Sequence, residues 1–144
     1  MIRQAQKEDI SLVAEILIFS KRVHYREIFQ NDYVSFHEMT VLGLCQEYLN
    51  NLALLSSIYV YEDEFVKGMI HLEDKEIKEL YVNPFFEGQG IGSKLIEEAI
   101  SRGCNKLWVL EKNKDAIVFY QKHGFSLTAD KKKEYGEYIV KMIR

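Results

Sequence analysis

The sequence predicts an α/β fold of the α+β kind, a mixed sheet with helices packed against it, and three observations carry that prediction. Apolar residues alternate with period two between Ser57 and Val82, which marks a three-strand antiparallel meander. A glycine-rich segment then joins the last of these strands to an amphipathic helix. A second strand and helix follow at once, and a strand–helix–strand–helix unit implies a parallel pairing through a right-handed crossover.

The elements can be justified in chain order. Residues 2–5 form a short strand, and Asp9 is placed to cap a helix that runs to about Tyr25 with Ile10, Val13, Ala14 and Leu17 on one face. Over 33–49, Val34, Met39, Leu42, Cys45 and Leu49 keep an approximate 3.6-residue period, so a second helix is expected, stopped by Asn50 and Asn51. The meander strands are 58–61, 65–72 and 76–82, with turns at 62–64 and 73–75. Pro84 ends the third, and Ile91, Leu95, Ile96 and Ala99 mark a helix closing near Gly103. Residues 106–110 make the next strand, and Asn113 caps a helix carrying Ala116, Phe119, Tyr120 and His123, closed by Gly124. Two strands, 125–128 and 135–143, finish the chain around a charged stretch whose basic run, 131–133, is expected to be a solvated loop.

Composition narrows the function classes. With 144 residues, 47% hydrophobic and 28% charged, the chain can build a core without disulfide or metal, and one domain spanning 1–144 is the expected organisation. A net charge of −3 offers no field for nucleic acid or an anionic membrane, and neither is expected as a partner. No apolar run approaches the ~20 residues of a membrane span, and the polar stretch 1–9 lacks the apolar segment of a secretory signal, so a cytoplasmic location is expected. Cys45 and Cys104 have no C-x-x-C spacing and read as buried reduced thiols. His24, His37, His71 and His123 have no paired spacing for a metal, and none is expected. The last strand sets Tyr138, Val140 and Met142 against Ile139, Lys141 and Ile143, nearly apolar on both faces, which makes it a candidate for pairing with a second subunit in a homodimer.

The chemistry-bearing segment is Gly88-Gln89-Gly90-Ile91-Gly92-Ser93-Lys94. Leading from a strand into a helix, its glycines let backbone approach a ligand while the first free N–H groups point outward along the helix dipole, which suits a phosphate or pyrophosphate. It lacks the G-K-[ST] ending of a Walker loop, and the meander ahead of it is not the start of a dinucleotide-binding βαβ unit. By itself such a loop also fits a tight turn.

A second cluster adds to it. Val82-Asn83-Pro84, the glycine loop, and N-x-x-A-x-x-F-Y-x-x-x-G-F from Asn113 to Phe125 together resemble the GNAT superfamily of acyl-CoA-dependent N-acetyltransferases, over residues 57–125. The resemblance implies a twisted mixed sheet of about six or seven strands flanked by about four helices, splayed between the strands ending at Val82 and Leu110, with acetyl-CoA in the opening. It implies that the backbone of Leu80, Tyr81 and Val82 pairs with the pantetheine arm like an added strand. Gly88, Gln89, Gly90, Ile91, Gly92 and Ser93 would cradle the pyrophosphate, and Asn113 would touch the cofactor while capping its helix. The implied reaction is transfer of the acetyl group to a primary amine of a small molecule, peptide or protein, by direct attack through a tetrahedral intermediate.

Such a reaction needs a proton acceptor for the ammonium, an oxyanion donor and a donor near the leaving sulfur. Tyr120 matches the family tyrosine at the thiolate, and a backbone N–H near Tyr81 or Val82 is the expected oxyanion donor. For the base, Glu79 and Glu76 are candidates that strict alternation would point to opposite faces. Both also fit as solvated strand residues, and a water relayed to Glu79, Glu76 or His71 is a further route. Trp108 occupies the position from which some relatives use a glutamate. Glu87 stands where the family pattern usually has Gln or Arg and is expected to turn outward. Tyr25, Phe29, Tyr33 and Phe36 fall where relatives wall the acceptor pocket, though such a stripe also fits a core. Two other readings stay open, a non-catalytic acyl-CoA-binding sensor or subunit and a plain phosphate-binding domain.

Overall fold

The computed structural model describes residues 1–29, 32–33, 36–37 and 39–144, without side-chain burial at 27–29. Among these, seven strands form one sheet: β1 (Ile2–Gln4), β2 (Ile58–Asp63), β3 (Phe65–Glu73), β4 (Glu76–Val82), β5 (Lys106–Leu110), β6 (Ser126–Glu134) and β7 (Glu137–Ile143), in the order β1-β2-β3-β4-β5-β7-β6. The helices are α1 (Ile10–Phe29), α2 (Val41–Asn50), α3 (Leu52–Ser56), α4 (Ile91–Ser101) and α5 (Lys114–Lys122). All sheet pairings are antiparallel except β4 with β5.

The sheet separates two cores. On one face Val13, Ala14 and Leu17 of α1, with Tyr48 and Leu55, pack on Ile58, Val60 and Met69. On the other, Leu95, Ile96 and Ala99 of α4 and Ile117 of α5 pack on Ile70, Ile77, Leu107 and Met142, with Phe125. Gly68 permits the close approach of α4, because a Cβ there would meet Ile91 and Leu95 side chains at 3.0 Å. This is the predicted mixed sheet, with five helices where about four were expected.

Four local expectations change. Asp9 does not cap α1 directly: it closes a short 3₁₀ turn, Lys7–Asp9, where its carboxylate accepts the Gln6 N–H at 2.8 Å and both Arg3 guanidinium N–H groups at 2.7 and 2.9 Å. The helix expected over 33–49 begins at Val41, because Thr40 takes an extended conformation and its hydroxyl accepts the Gly43 N–H. Val34 lies outside the described residues. Asn51, read as a stop signal, also caps α3 through the Leu54 N–H.

The fourth change is at the C-terminal end. The basic run 131–133 is not a loop but the outer half of β6, and the reversal is the two-residue turn Tyr135-Gly136, both at positive φ (51° and 80°). Strand β7 lies between β5 and β6, so both its edges are already paired. The strand offered by the sequence for a second subunit is therefore interior to the sheet, with Ile139, Val140 and Met142 buried and Tyr138 and Ile143 exposed.

Candidate active site

The parallel pairing of β4 with β5 covers only Glu76↔Lys106 and Ile77↔Leu107. Beyond it the strands diverge and leave a cleft of about 1400 Å³, walled by α1, β4, β5, α5 and the β6–β7 hairpin. Asn83 N–H donates to Lys67 O at 2.8 Å, which fixes the phase of the β3–β4 ladder. The backbone groups of Tyr81 therefore face β3, whereas those of Leu80 and Val82 face the gap. The Val82 carbonyl there accepts the Ser20 hydroxyl of α1 at 3.2 Å.

A bulge reorganises the strand just before this gap. His71 pairs with Glu79 but Leu72 with Ile77, leaving Lys78 as an extra residue. Ile77, Leu80 and Val82 accordingly all pack on the α4 side, a set that strict alternation forbids. Glu76 and Glu79 both fall on the opposite, α1-facing side and both line the cleft, which corrects the expectation of opposite faces. Glu79 lies 3.8 Å from Lys21 Nζ of α1 and 3.6 Å from His71 Nδ1. Glu76 pairs with Lys78 at 3.1 Å. His71 is buried, and its Nε2 has no hydrogen-bond partner among the described residues.

At the end of β4, Gly88 and Gly90 take positive φ (79° and 83°), with open space where a side chain would begin. Those dihedrals favour glycine and turn the chain into the first turn of α4. Among the described residues, the N–H groups of 88–93 donate to no protein acceptor, and the first bond of the helix is Lys94 N–H to Gly90 O at 3.1 Å. These amides form a continuous run of free donors at the positive end of α4. The Ser93 hydroxyl is separately engaged with His123 Nε2 at 3.2 Å. Glu87 is exposed, and its Oε1 lies 2.8 Å from Nε2 of the likewise exposed His24 on α1.

Opposite β4, the Asn113 side chain accepts the Ala116 N–H and so caps α5, which carries Tyr120 into the cleft. Tyr120 packs edge-on to Phe119 and Phe125, and burial pushes its phenol well above the ordinary range. Tyr25 of α1 meets the same cluster. Its hydroxyl is 3.5 Å from that of Tyr81, and burial raises the pKa of Tyr25 and of Tyr81. Trp108 lines the cleft with Lys132 Nζ 4.4 Å from its ring.

Most residues singled out from the sequence thus converge. Glu76, Glu79, Leu80, Tyr81, Val82, Asn113 and Tyr120 line one cleft, and the free amides of 88–93 stand at the end of the strand that bounds it. Of the aromatic stripe, Tyr25 lines the cleft, whereas Tyr33 and Phe36 are exposed; the Phe29 side chain lies outside the described residues. Sequence reading missed Lys21, the His24–Glu87 pair and the hairpin residues Lys132, Glu134 and Tyr135. No local signal marks them: Lys21 and His24 reach the cleft from α1, and the hairpin residues through β7 inserting between β5 and β6. Among the described residues no cluster of His, Cys, Asp or Glu is arranged to hold a metal, and no helix is long and apolar enough to cross a membrane.

Residues 55–127 match the family model of the acetyltransferase (GNAT) domain. The chain belongs to this family. It is 44% identical over 61 residues to a thialysine N-epsilon-acetyltransferase of Sus scrofa, covering 38% of this chain and 33% of that protein. Across the first curated relatives the matched stretch spans only 26% to 46% of their length. The whole fold superposes on an N-acetyltransferase from Staphylococcus aureus Mu50 with a TM-score of 0.80 at 19% identity, covering 100% of both chains. It also superposes on the PaiA N-acetyltransferase of Thermoplasma acidophilum in complex with coenzyme A, with a TM-score of 0.71 at 21% identity, covering 100% of this chain and 98% of that one. In this GNAT chain the splayed sheet is the family fold.

Proposed function

We propose that residues 1–144 act as one acetyl-CoA-dependent N-acetyltransferase domain for a primary amine. The observation that carries this reading is the gap between β4 and β5, bordered by backbone groups of Leu80 and the N–H of Val82 that β5 does not pair, and ending in a run of six free amides. An extended amide-bearing chain ending in a pyrophosphate fits that series of donors and acceptors. Acetyl-CoA supplies an acyl group already activated on a thiol. Supporting the reading, a relative is named for acetylating an amine and a structural neighbour holds coenzyme A.

Each residue then has a task. Leu80 and Val82 hold the pantetheine arm, the N–H of Val82 is placed to stabilise charge on the carbonyl oxygen, and Gly88, Gln89, Gly90, Ile91, Gly92 and Ser93 take the phosphates through their backbone. Tyr81 contributes its phenol, packed on Tyr25, rather than its amide. Glu79 accepts the proton from the incoming ammonium, with Glu76 on the same face keeping the approach attractive for a cation. The neutral amine attacks the thioester carbonyl directly, and Tyr120 donates to the departing sulfur. Asn113 caps α5 and so holds the helix that carries this donor.

The test is release of free thiol from acetyl-CoA across a panel of amines: free lysine, lysyl peptides, polyamines and aminoglycosides. Amine-dependent release is expected. Binding of acetyl-CoA without release for any amine would instead select a non-catalytic acyl-CoA-binding module, a reading favoured by Trp108 at the position where a carboxylate would serve as base.

A further inference from the structure

Glu87 heads the segment whose six amides, 88–93, find no acceptor among the described residues. It is the charged residue of 87–93, and its backbone is extended as it enters Gly88. Free amides at the positive end of α4 attract an anion, and a carboxylate at the head of the same loop opposes one. The structure shows where that charge is held. Glu87 Oε1 is 2.8 Å from Nε2 of His24, and both residues line the cleft. His24 lies one turn beyond Ser20, whose hydroxyl binds the Val82 carbonyl. One face of α1 therefore grips the end of β4 and, through Glu87, the start of the loop.

We propose that His24 is a positioning residue that draws the Glu87 carboxylate away from the phosphate seat and so sets the affinity for the pyrophosphate portion of coenzyme A. The proposal rests on the acetyl-CoA reading of the loop. It acts through the partner: without His24 the carboxylate is free to turn toward the amides, and without the carboxylate His24 has nothing to restrain. The effect belongs to phosphate binding and not to the pantetheine arm, which lies along Leu80 and Val82.

The experiment is a double-variant cycle by isothermal titration calorimetry on the full chain, with coenzyme A as one probe and pantetheine, which lacks the phosphates, as the other. His24→Ala is expected to weaken coenzyme A binding about threefold, the size typical of a side-chain hydrogen bond to a half-exposed carboxylate, and less at high salt, which screens the carboxylate from the phosphates. Glu87→Gln should bind at least as tightly as the parent, and His24→Ala/Glu87→Gln should match Glu87→Gln. Pantetheine affinity should be the same in all four proteins, and equal melting temperatures without ligand will show that folding is preserved. Unchanged coenzyme A affinity in His24→Ala, a double variant as weak as His24→Ala, or an equal loss with pantetheine would overturn the proposal. A parent protein that binds no coenzyme A would overturn the acetyl-CoA reading itself, a separate failure.

Discussion

Replacing Tyr120 with Phe separates catalysis from architecture. The ring fills a wall between Phe119 and Phe125, and the substitution keeps that ring. Its hydroxyl has no protein hydrogen-bond partner among the described residues and faces the cleft. Losing it should therefore shift folding stability by less than about 1 kcal/mol. Burial raises the phenol's pKa above its usual value, so the group stays protonated through neutral and mildly alkaline pH and is always a donor. A phenol so raised is a weaker acid than the thiol it faces, which favours hydrogen-bond donation to the leaving sulfur over complete proton transfer. That places the expected loss toward the lower end of general-acid contributions, about a hundredfold in kcat, or roughly 2.7 kcal/mol of barrier. The assay is thiol release under saturating acetyl-CoA, with calorimetry to show retained binding. A variant that keeps kcat within about twofold of the parent would refute the assigned role.

Glu79→Gln should lower kcat/KM by at least about tenfold, whereas Glu76→Gln should act mainly on KM for a cationic amine; equal effects of both on kcat would contradict the assignment. Gly90→Ala places a side chain at φ 83°, costing about 1–2 kcal/mol; a melting temperature lower by roughly 2–8 °C should accompany weaker coenzyme A binding. Asp9 carries a lowered pKa, chiefly through its Arg3 hydrogen bonds. Its stabilisation is thus present above the unfolded carboxylate's pKa and lost as pH falls through the lower folded value. Acid titration of stability should show that loss in the parent and not in Asp9→Asn, which starts about 2 kcal/mol less stable.

The legible part of the fold was the part set by local signals. The meander, the strand 106–110 and the two helices capped at Gly90 and Asn113 each have a complete period and their own start and stop residues, and they stand where the sequence puts them. The bulge at Lys78 left no trace, since E-I-K-E-L-Y-V scans as an uninterrupted strand; only pairing with β3 reveals that Glu76 and Glu79 share a face. The outer half of β6 was illegible for a different reason. As an edge strand exposed on both sides over 129–134, it needs no apolar alternation, and its turn uses Tyr135-Gly136 without the Asn-Gly signature. At the site, the amides of 88–93 followed from the glycine spacing, while His24, Lys21 and Lys132 reach the cleft through long-range packing that no short window encodes.

The most direct test of the central claim, that the gap between β4 and β5 with its amide loop is a seat for acetyl-CoA, is thermal unfolding of the full chain with acetyl-CoA beside ATP and NAD at equal concentration. At a hundredfold excess over its dissociation constant, acetyl-CoA should stabilise the fold by about 2.7 kcal/mol, a rise of several degrees, with ATP and NAD giving clearly less. An equal shift from all three would reduce the loop to a general phosphate site, and no shift from acetyl-CoA would contradict the account.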